Sequence, residues 1–148
     1  MSNTRDLPVA ALWRRLAAML YDSFLIFAIW IMVGFVVLSA FGIDNGENIT
    51  LSPLHNTVLF LAMMASALLF FGWFWTNSGQ TLGMQAWRIK IQNVDGSSIS
   101  WRQVALRFFS APVALALAGL GYWWALWHPD KSSWPDLLSG SCVVKVTL

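Results

Sequence analysis

One long apolar stretch limits what this chain can fold into. Residues 16–41 contain a single charged side chain, that of Asp22, and two arginines, Arg14 and Arg15, stand immediately before the stretch. As an α-helix rising about 1.5 Å per residue it would be about 39 Å long, more than the roughly 30 Å hydrocarbon core of a bilayer. The stretch is therefore predicted to be a membrane-spanning helix that is tilted or that projects from the membrane at one end.

Asp22 is the residue of this predicted span that opposes insertion into the membrane. An aspartate at the centre of a membrane helix costs about 2.5–3.5 kcal/mol, and the leucine, isoleucine, valine and phenylalanine side chains of the stretch together contribute about −4 to −8 kcal/mol. Insertion is therefore favourable, but the carboxylate needs a partner or a use. Arg15 precedes Asp22 by seven residues, which places both on one face of the helix. We expect the two side chains to belong to one cluster.

The composition assigns the chain to the integral membrane proteins. Of its 148 residues, 57% are hydrophobic and 11% are charged, whereas soluble domains carry about 25% charged residues. One membrane domain, residues 1–148, is predicted, and the net charge of +2 gives no indication of nucleic-acid binding. The first apolar stretch is too long for a signal-peptide core and is expected to remain as a signal anchor. The single cysteine, Cys142, is expected to be an inert thiol.

A second apolar stretch follows after a short loop. Residues 57–75 carry no charged side chain and are predicted to form the second span. The loop, residues 42–56, contains acidic residues but no lysine or arginine, whereas residues 76–107 contain both arginine and lysine. Because basic residues accumulate on the cytoplasmic side, the N-terminus and residues 76–107 are predicted to be cytoplasmic and the loop external, in a cell membrane (inner or plasma membrane).

The predicted cytoplasmic region contains a short extended arm. Residues 87–94 partly alternate between apolar and basic or polar side chains, which is typical of a strand. Residues 143–148 are interpreted as a second short strand that pairs with this arm. Ser100 followed by Gln103 forms a capping box, which predicts that a helix begins at Trp101.

A third apolar segment, residues 108–127, allows two interpretations. Its length would just allow a third span, but Pro112, Gly119 and Gly121 interrupt it, and basic residues such as Lys131 follow it as well as precede it. Basic flanks on both sides favour a segment that enters the membrane and returns, or one that lies in the interface. The predicted fold is an all-α membrane protein with two full transmembrane helices, this third segment, and a small cytoplasmic β-like arm.

Three features taken in order resemble a known family. Arg15 and Asp22 open the first span, GQTLGM (residues 79–84) follows the second, and WPDLLSGSCVV (residues 134–144) closes the chain. This ordered set resembles the RDD family of small membrane proteins, named for one arginine and two aspartates. The resemblance implies that Arg15 is the arginine of that pattern, Asp22 its first aspartate and Asp136 its second.

The chain departs from the family pattern at several positions. Pro135 stands where a histidine is common and Leu137 where a basic residue is common, Ser141 replaces the usual threonine, and Met84 replaces a lysine or arginine. Roles that depend on those side chains are therefore not expected here. For the family, the resemblance implies transport of a ligand, cation–proton exchange, or service as an accessory subunit.

Two functions follow for the polar residues Arg15, Asp22 and Asp136, which we expect to form one cluster near the cytoplasmic face. A structural cluster would hold the cytoplasmic segments under the spans, in an assembly or accessory protein or a small transport-related component. A desolvated carboxylate beside an arginine could instead serve a cation/proton exchanger. Two or three spans enclose no pore, so exchange would require an oligomer.

Catalysis has no support in the sequence. It contains no pairing of nucleophile and base, no phosphate-binding loop and no metal-ligand spacing, so no enzyme, cofactor or metal site is predicted. The expected partners are the lipid bilayer and either further copies of the chain or another membrane protein, without nucleic acid.

Overall fold

Two long helices dominate the structure. The computed structural model describes residues 7–41, 52–117 and 119–146. In chain order its elements are α1 (Leu12–Ala40), α2 (Pro53–Asn77), α3 (Leu82–Ala86), β1 (Ile89–Asn93), α4 (Trp101–Ala116), α5 (Leu120–Trp127), α6 (Trp134–Ser139) and β2 (Ser141–Lys145). The predicted class, an all-α membrane protein with a small β-like arm, is confirmed.

The two predicted spans are α1 and α2. Both helices are long and apolar enough to cross a membrane. Each begins earlier than predicted, and for α2 the reason is local: Ser52 caps the helix together with His55, and Pro53 occupies its first turn. Most of the predicted external loop, residues 42–51, lies outside the described residues.

The predicted pairing of two short strands is confirmed, but the second strand, predicted over residues 143–148, is Ser141–Lys145. β1 and β2 form an antiparallel ladder that runs from Ile89 opposite Lys145 to Asn93 opposite Ser141. The segment before α1 lies along the other edge of β2, because the amide of Ala10 donates to the carbonyl of Val143 over 2.8 Å. The ladder thus ties the beginning, middle and end of the chain together. The predicted capping box also begins α4 at Trp101.

The third apolar segment is two helices rather than one. α4 and α5 meet at 93°, and the bend falls at Gly119, whose φ of 75° is the left-handed conformation that glycine adopts readily. Pro112, expected to interrupt the segment, lies inside α4. Since β1 precedes α4 and pairs with β2, which follows α5, the chain enters and leaves this unit at the same end. The bent pair is either one broken span or a re-entrant loop, the two interpretations that the sequence also allows.

The apolar core lies at this same end of the molecule. It gathers side chains from α1, α3, α4 and both strands, together with the segments beside them: Ala10, Ala18, Met84, Ile89, Ile91, Ile99, Val104 and Val143. Only small fractions of the apolar windows of α1 and α2 are buried, 6% and 11%. The protein therefore packs against itself mainly where α1 begins and α2 ends.

Candidate functional site

Asp136 is positioned by the start of α6. Ser133 is the N-cap of this helix, and Asp136, three residues later, accepts hydrogen bonds from the Ser133 amide (2.9 Å) and hydroxyl (2.8 Å). This is a capping box in which a short acidic side chain reaches back to the cap. Pro135 lies in the first turn, where its missing N–H costs nothing. The sequence SWPD thus orients the carboxylate through contacts within the first turn of α6.

Arg15 reaches Asp136 from α1. Its Nη1 donates to Oδ2 of Asp136 over 2.5 Å, and both side chains are buried. The other guanidinium nitrogens donate to backbone carbonyls, Nε to that of Ala10 (3.1 Å) and Nη2 to that of Lys131 (3.3 Å). The planar fork of an arginine suits several acceptors at once. One side chain therefore joins α1 to the N-terminal segment and to the chain around α6.

Arg107 supplies a second cation, from α4. Its Nη1 lies 2.8 Å from Oδ1 of Asp136 as an ion pair, and it donates to the hydroxyl of Ser141 over 2.6 Å. The guanidinium carbon also lies 5.7 Å from the centroid of the Trp75 ring. We refer to Arg15, Arg107, Ser133 and Asp136 as the polar cluster.

Sequence reasoning did not identify Arg107 as part of the polar cluster and counted it only among the basic residues of the segment 76–107. A signal was present. Arg107 follows Val104 by three residues and precedes Ala114 by seven, which places all three on one face of α4, and all three are buried. An arginine on the apolar face of a helix requires an acidic partner. The spacing within α4 could not show that this partner is Asp136.

The electrostatics of the polar cluster keep Asp136 ionised. Burial by itself would raise the pKa of Asp136, but Arg107 and Arg15, with the hydrogen bonds from Ser133, lower that pKa below its ordinary value. Two arginines face one carboxylate, so the three side chains carry a net positive charge. Breaking a buried pair of this kind by removing one partner costs about 3–5 kcal/mol.

Asp22 does not join the polar cluster, and the expectation of a single cluster with Arg15 was wrong on this point. Its Oδ2 accepts from the hydroxyl of Thr81 (2.5 Å) and its Oδ1 from the amide of Gly83 (2.9 Å). Among the described residues Asp22 forms no ion pair. Asp22 and Arg15 do share one buried face of α1, but seven residues separate them by about 10 Å along the axis.

Gly83 shows why the segment after α2 can approach Asp22. A Cβ at this position would lie 2.4 Å from the carbonyl oxygen of Ala18 and 2.8 Å from Oδ1 of Asp22. Only glycine permits this distance between α3 and α1. Thr81 is the N-cap of α3 and contacts Asp22 as well. The GQTLGM motif is thus a seat for the carboxylate of Asp22, which we call the Asp22 seat.

The described histidine, cysteine and acidic residues outside these two sites do not form a metal site. Within the described ranges, no group of three or more histidine, cysteine or acidic side chains could hold a metal ion. Cys142 is half-buried with Sγ 3.5 Å from the carbonyl oxygen of Gln92. Burial raises the pKa of this thiol, which keeps it protonated at neutral pH.

Two long apolar helices, a bent pair of shorter helices and an arginine–aspartate cluster define a class of small α-helical membrane proteins. A family model, the RDD family, matches residues 9–140. The chain belongs to the RDD family. No curated protein and no solved structure matches it. Of the three residues that the resemblance assigns to the family pattern, Arg15 and Asp136 are in contact, and Asp22 binds Thr81 and Gly83.

Proposed function

We propose that the chain is an assembly or accessory component of a cell membrane, and that its polar cluster is a structural fastening rather than a transport site. One observation carries this proposal: both carboxylate oxygens of Asp136 are held by arginines from different helices. A transported cation or proton would have to displace one of these arginines. Arg15 would then lose the contact that ties α1 to the chain around α6.

The orientation proposed for the chain places the polar cluster in the cytoplasm. The basic residues that the structure describes lie at one end of the two spans. Arg15 is in the first turn of α1, Arg88 follows the end of α2, and the carbonyl of Lys131 accepts a hydrogen bond from Arg15. Positive residues concentrate on the cytoplasmic side of membrane proteins. The N-terminus would accordingly be cytoplasmic and the loop between the spans external.

The spans supply the surface for a partner. Large apolar side chains such as Phe24, Phe35 and Phe60 are more than half exposed on α1 and α2. Lipid covers such faces in a monomer, and helices of a further copy or of another membrane protein cover them in an assembly. The proposal includes no enzyme activity, no cofactor and no nucleic acid.

A second candidate, cation/proton exchange by an oligomer, is favoured by the Asp22 seat. Asp22 lies on a spanning helix, and the partners described for it are a hydroxyl and a backbone amide rather than a cation. Intramembrane carboxylates of this kind serve proton and cation relays in transporters. Thr81 and Gly83 do not neutralise the charge, so protonation or a cation could do so.

Flux measurements separate the two functions. The purified chain is reconstituted into liposomes with opposed pH and cation gradients, beside Asp22→Asn and, as a matched control, Asp130→Asn at an exposed position. An accessory protein gives no flux above that of empty liposomes, and cross-linking in native membranes recovers a membrane-protein partner or a second copy. Flux that is present in the wild type and in Asp130→Asn but absent in Asp22→Asn would instead establish exchange.

A further inference from the structure

A cleft of about 450 Å³ opens beside the start of α1, outside both the polar cluster and the Asp22 seat. Its lining includes Trp13 and Arg14 from α1, Trp87 and Arg88 from the turn between α3 and β1, and Lys145 from β2. Three parts of the chain that are distant in sequence therefore meet around one opening, and nothing in the proposed function makes use of it.

The charges of the cleft have one sign. Its three ionisable lining residues, Arg14, Arg88 and Lys145, are all cationic. Among the residues that the structure describes, the Arg14 side chain donates to the carbonyl of Trp87 over 3.1 Å, which engages one of its five N–H donors. The side chains of Arg88 and Lys145 form no ion pair with any described acidic residue. Such a set of donors suits an anion with several oxygen atoms.

The aromatic residues place the cleft at the surface of the membrane. The rings of Trp13 and Trp87 contact edge to face with centroids 5.4 Å apart, and the Arg14 guanidinium lies 4.8 Å from the Trp13 centroid. Tryptophan collects at the level of the lipid headgroups, where one part of its ring is wet and the other is apolar. Trp13 stands just before the apolar stretch of residues 16–41. An anion that binds in the cleft would therefore lie at the level of the lipid headgroups.

The backbone at Arg88 adds an independent observation. Its φ is 54°, in the left-handed region that bulky side chains rarely adopt. A glycine would make the same turn without strain, yet the chain places an arginine there, on the wall of the cleft. Strained residues of this kind concentrate at ligand-binding positions. An arginine in this conformation on the wall of the cleft supports a ligand-binding role for the cleft.

We infer that this cleft binds the phosphate-bearing headgroup of an anionic phospholipid from the surrounding leaflet. Arginine and lysine both recognise phosphate oxygens, and basic pockets beside transmembrane helices take anionic headgroups. A net anion is required, because a zwitterionic headgroup brings its own cation into a cleft that already holds three. The inference does not depend on the orientation of the chain or on the accessory function.

Native mass spectrometry of the full chain in detergent tests this inference. Phosphatidylglycerol and phosphatidylcholine with identical acyl chains are titrated separately, and inorganic phosphate is titrated as a third probe. Phosphatidylglycerol is expected to be retained in preference to phosphatidylcholine. Arg88→Gly and Lys145→Gln are each expected to weaken its binding about fivefold, because a basic residue near a headgroup contributes about that factor.

Arg102→Gln is the matched control, because Arg102 is exposed on α4 and does not line the cleft. It should leave lipid binding unchanged. Arg88→Gly should also keep or raise the melting temperature, since glycine suits the φ at that position, so a loss of affinity cannot be attributed to unfolding. Equal retention of both lipids, or an equal loss in Arg102→Gln, would overturn the inference. Saturable binding of inorganic phosphate without retained lipid would overturn its assignment to a headgroup.

Discussion

The two halves of α1 have opposite surroundings. In the first half, Arg15, Ala18, Asp22 and Ile26 form one buried stripe that contacts other elements. In the second half, large side chains such as Phe35 are exposed, at 72% for that residue. The same helix thus packs against protein where it begins and offers an apolar surface where it ends.

This difference shows where the chain stabilises itself. Within a bilayer, apolar side chains gain little by leaving lipid for a neighbouring helix, so helix contacts there depend on close packing and polar bonds. At the end where α1 begins and α2 ends, by contrast, apolar burial, a strand ladder and buried ion pairs together stabilise the fold. The fold is therefore specified at that end, and the membrane faces remain for lipid or for a partner.

The largest expected effect is that of Asp136→Asn. The substitution leaves Arg15 and Arg107 buried without their counter-charge, so we expect the free energy of unfolding to fall by about 3–5 kcal/mol. Equilibrium unfolding in mixed detergent micelles measures this loss. Asp130→Asn, at an exposed aspartate of the same region, is the control and should change stability by less than about 0.5 kcal/mol.

A double-mutant cycle sharpens the same test. The losses in the free energy of unfolding caused by removing the Arg15 and the Asp136 side chains should be non-additive by at least about 1 kcal/mol, because the two side chains are in contact. Removal of Arg15 and Asp22 should be additive within about 0.5 kcal/mol, since they bind different partners. Coupling of Arg15 to Asp22 instead of Asp136 would contradict the separation of the polar cluster from the Asp22 seat.

Much of this fold could be predicted from local sequence patterns. The two spans follow from long apolar stretches, α4 begins at its capping box, and the alternation of residues 87–94 predicts β1. Pro112, Gly119 and Gly121 indicated that the third segment is interrupted, and the structure has two helices there. These features depend on side chains within a few residues of one another or on the thickness of the bilayer. They can therefore be predicted without a tertiary structure.

The partners of the charged residues could not be predicted in the same way. Shared spacing placed Arg15 and Asp22 on one face, but it could not show that Thr81 and Gly83 would reach Asp22 first. Nor could it show that Arg107 would approach Asp136, because that contact depends on the return of the chain after α5. Which charges meet is decided by long-range topology, and a single sequence supplies only the periodicity of each element.

Gly83→Ala should have an intermediate effect. The added methyl group would lie 2.4 Å from the Ala18 carbonyl oxygen, so α3 must move away from α1 and weaken the hydrogen bond to Asp22. We expect a loss of about 1–3 kcal/mol in the free energy of unfolding. Gly34→Ala is the matched control in the exposed half of α1, where an added Cβ meets nothing within 4 Å, and it should not destabilise the protein. Equal losses at both positions would remove the proposed contrast.

The smallest expected effect is at the membrane face itself. Phe35→Ala should change the free energy of unfolding of the detergent-solubilised chain by less than about 0.5 kcal/mol, because the ring contacts little of its own protein. Val104→Ala, which removes two methyl groups from a position with 0% exposure, should cost about 1.5 kcal/mol. If both substitutions cost the same, the second half of α1 is packed and the contrast between its halves is wrong. If Phe35→Ala leaves the isolated chain stable but lowers the yield of cross-linked partner in native membranes, this face is where the partner binds.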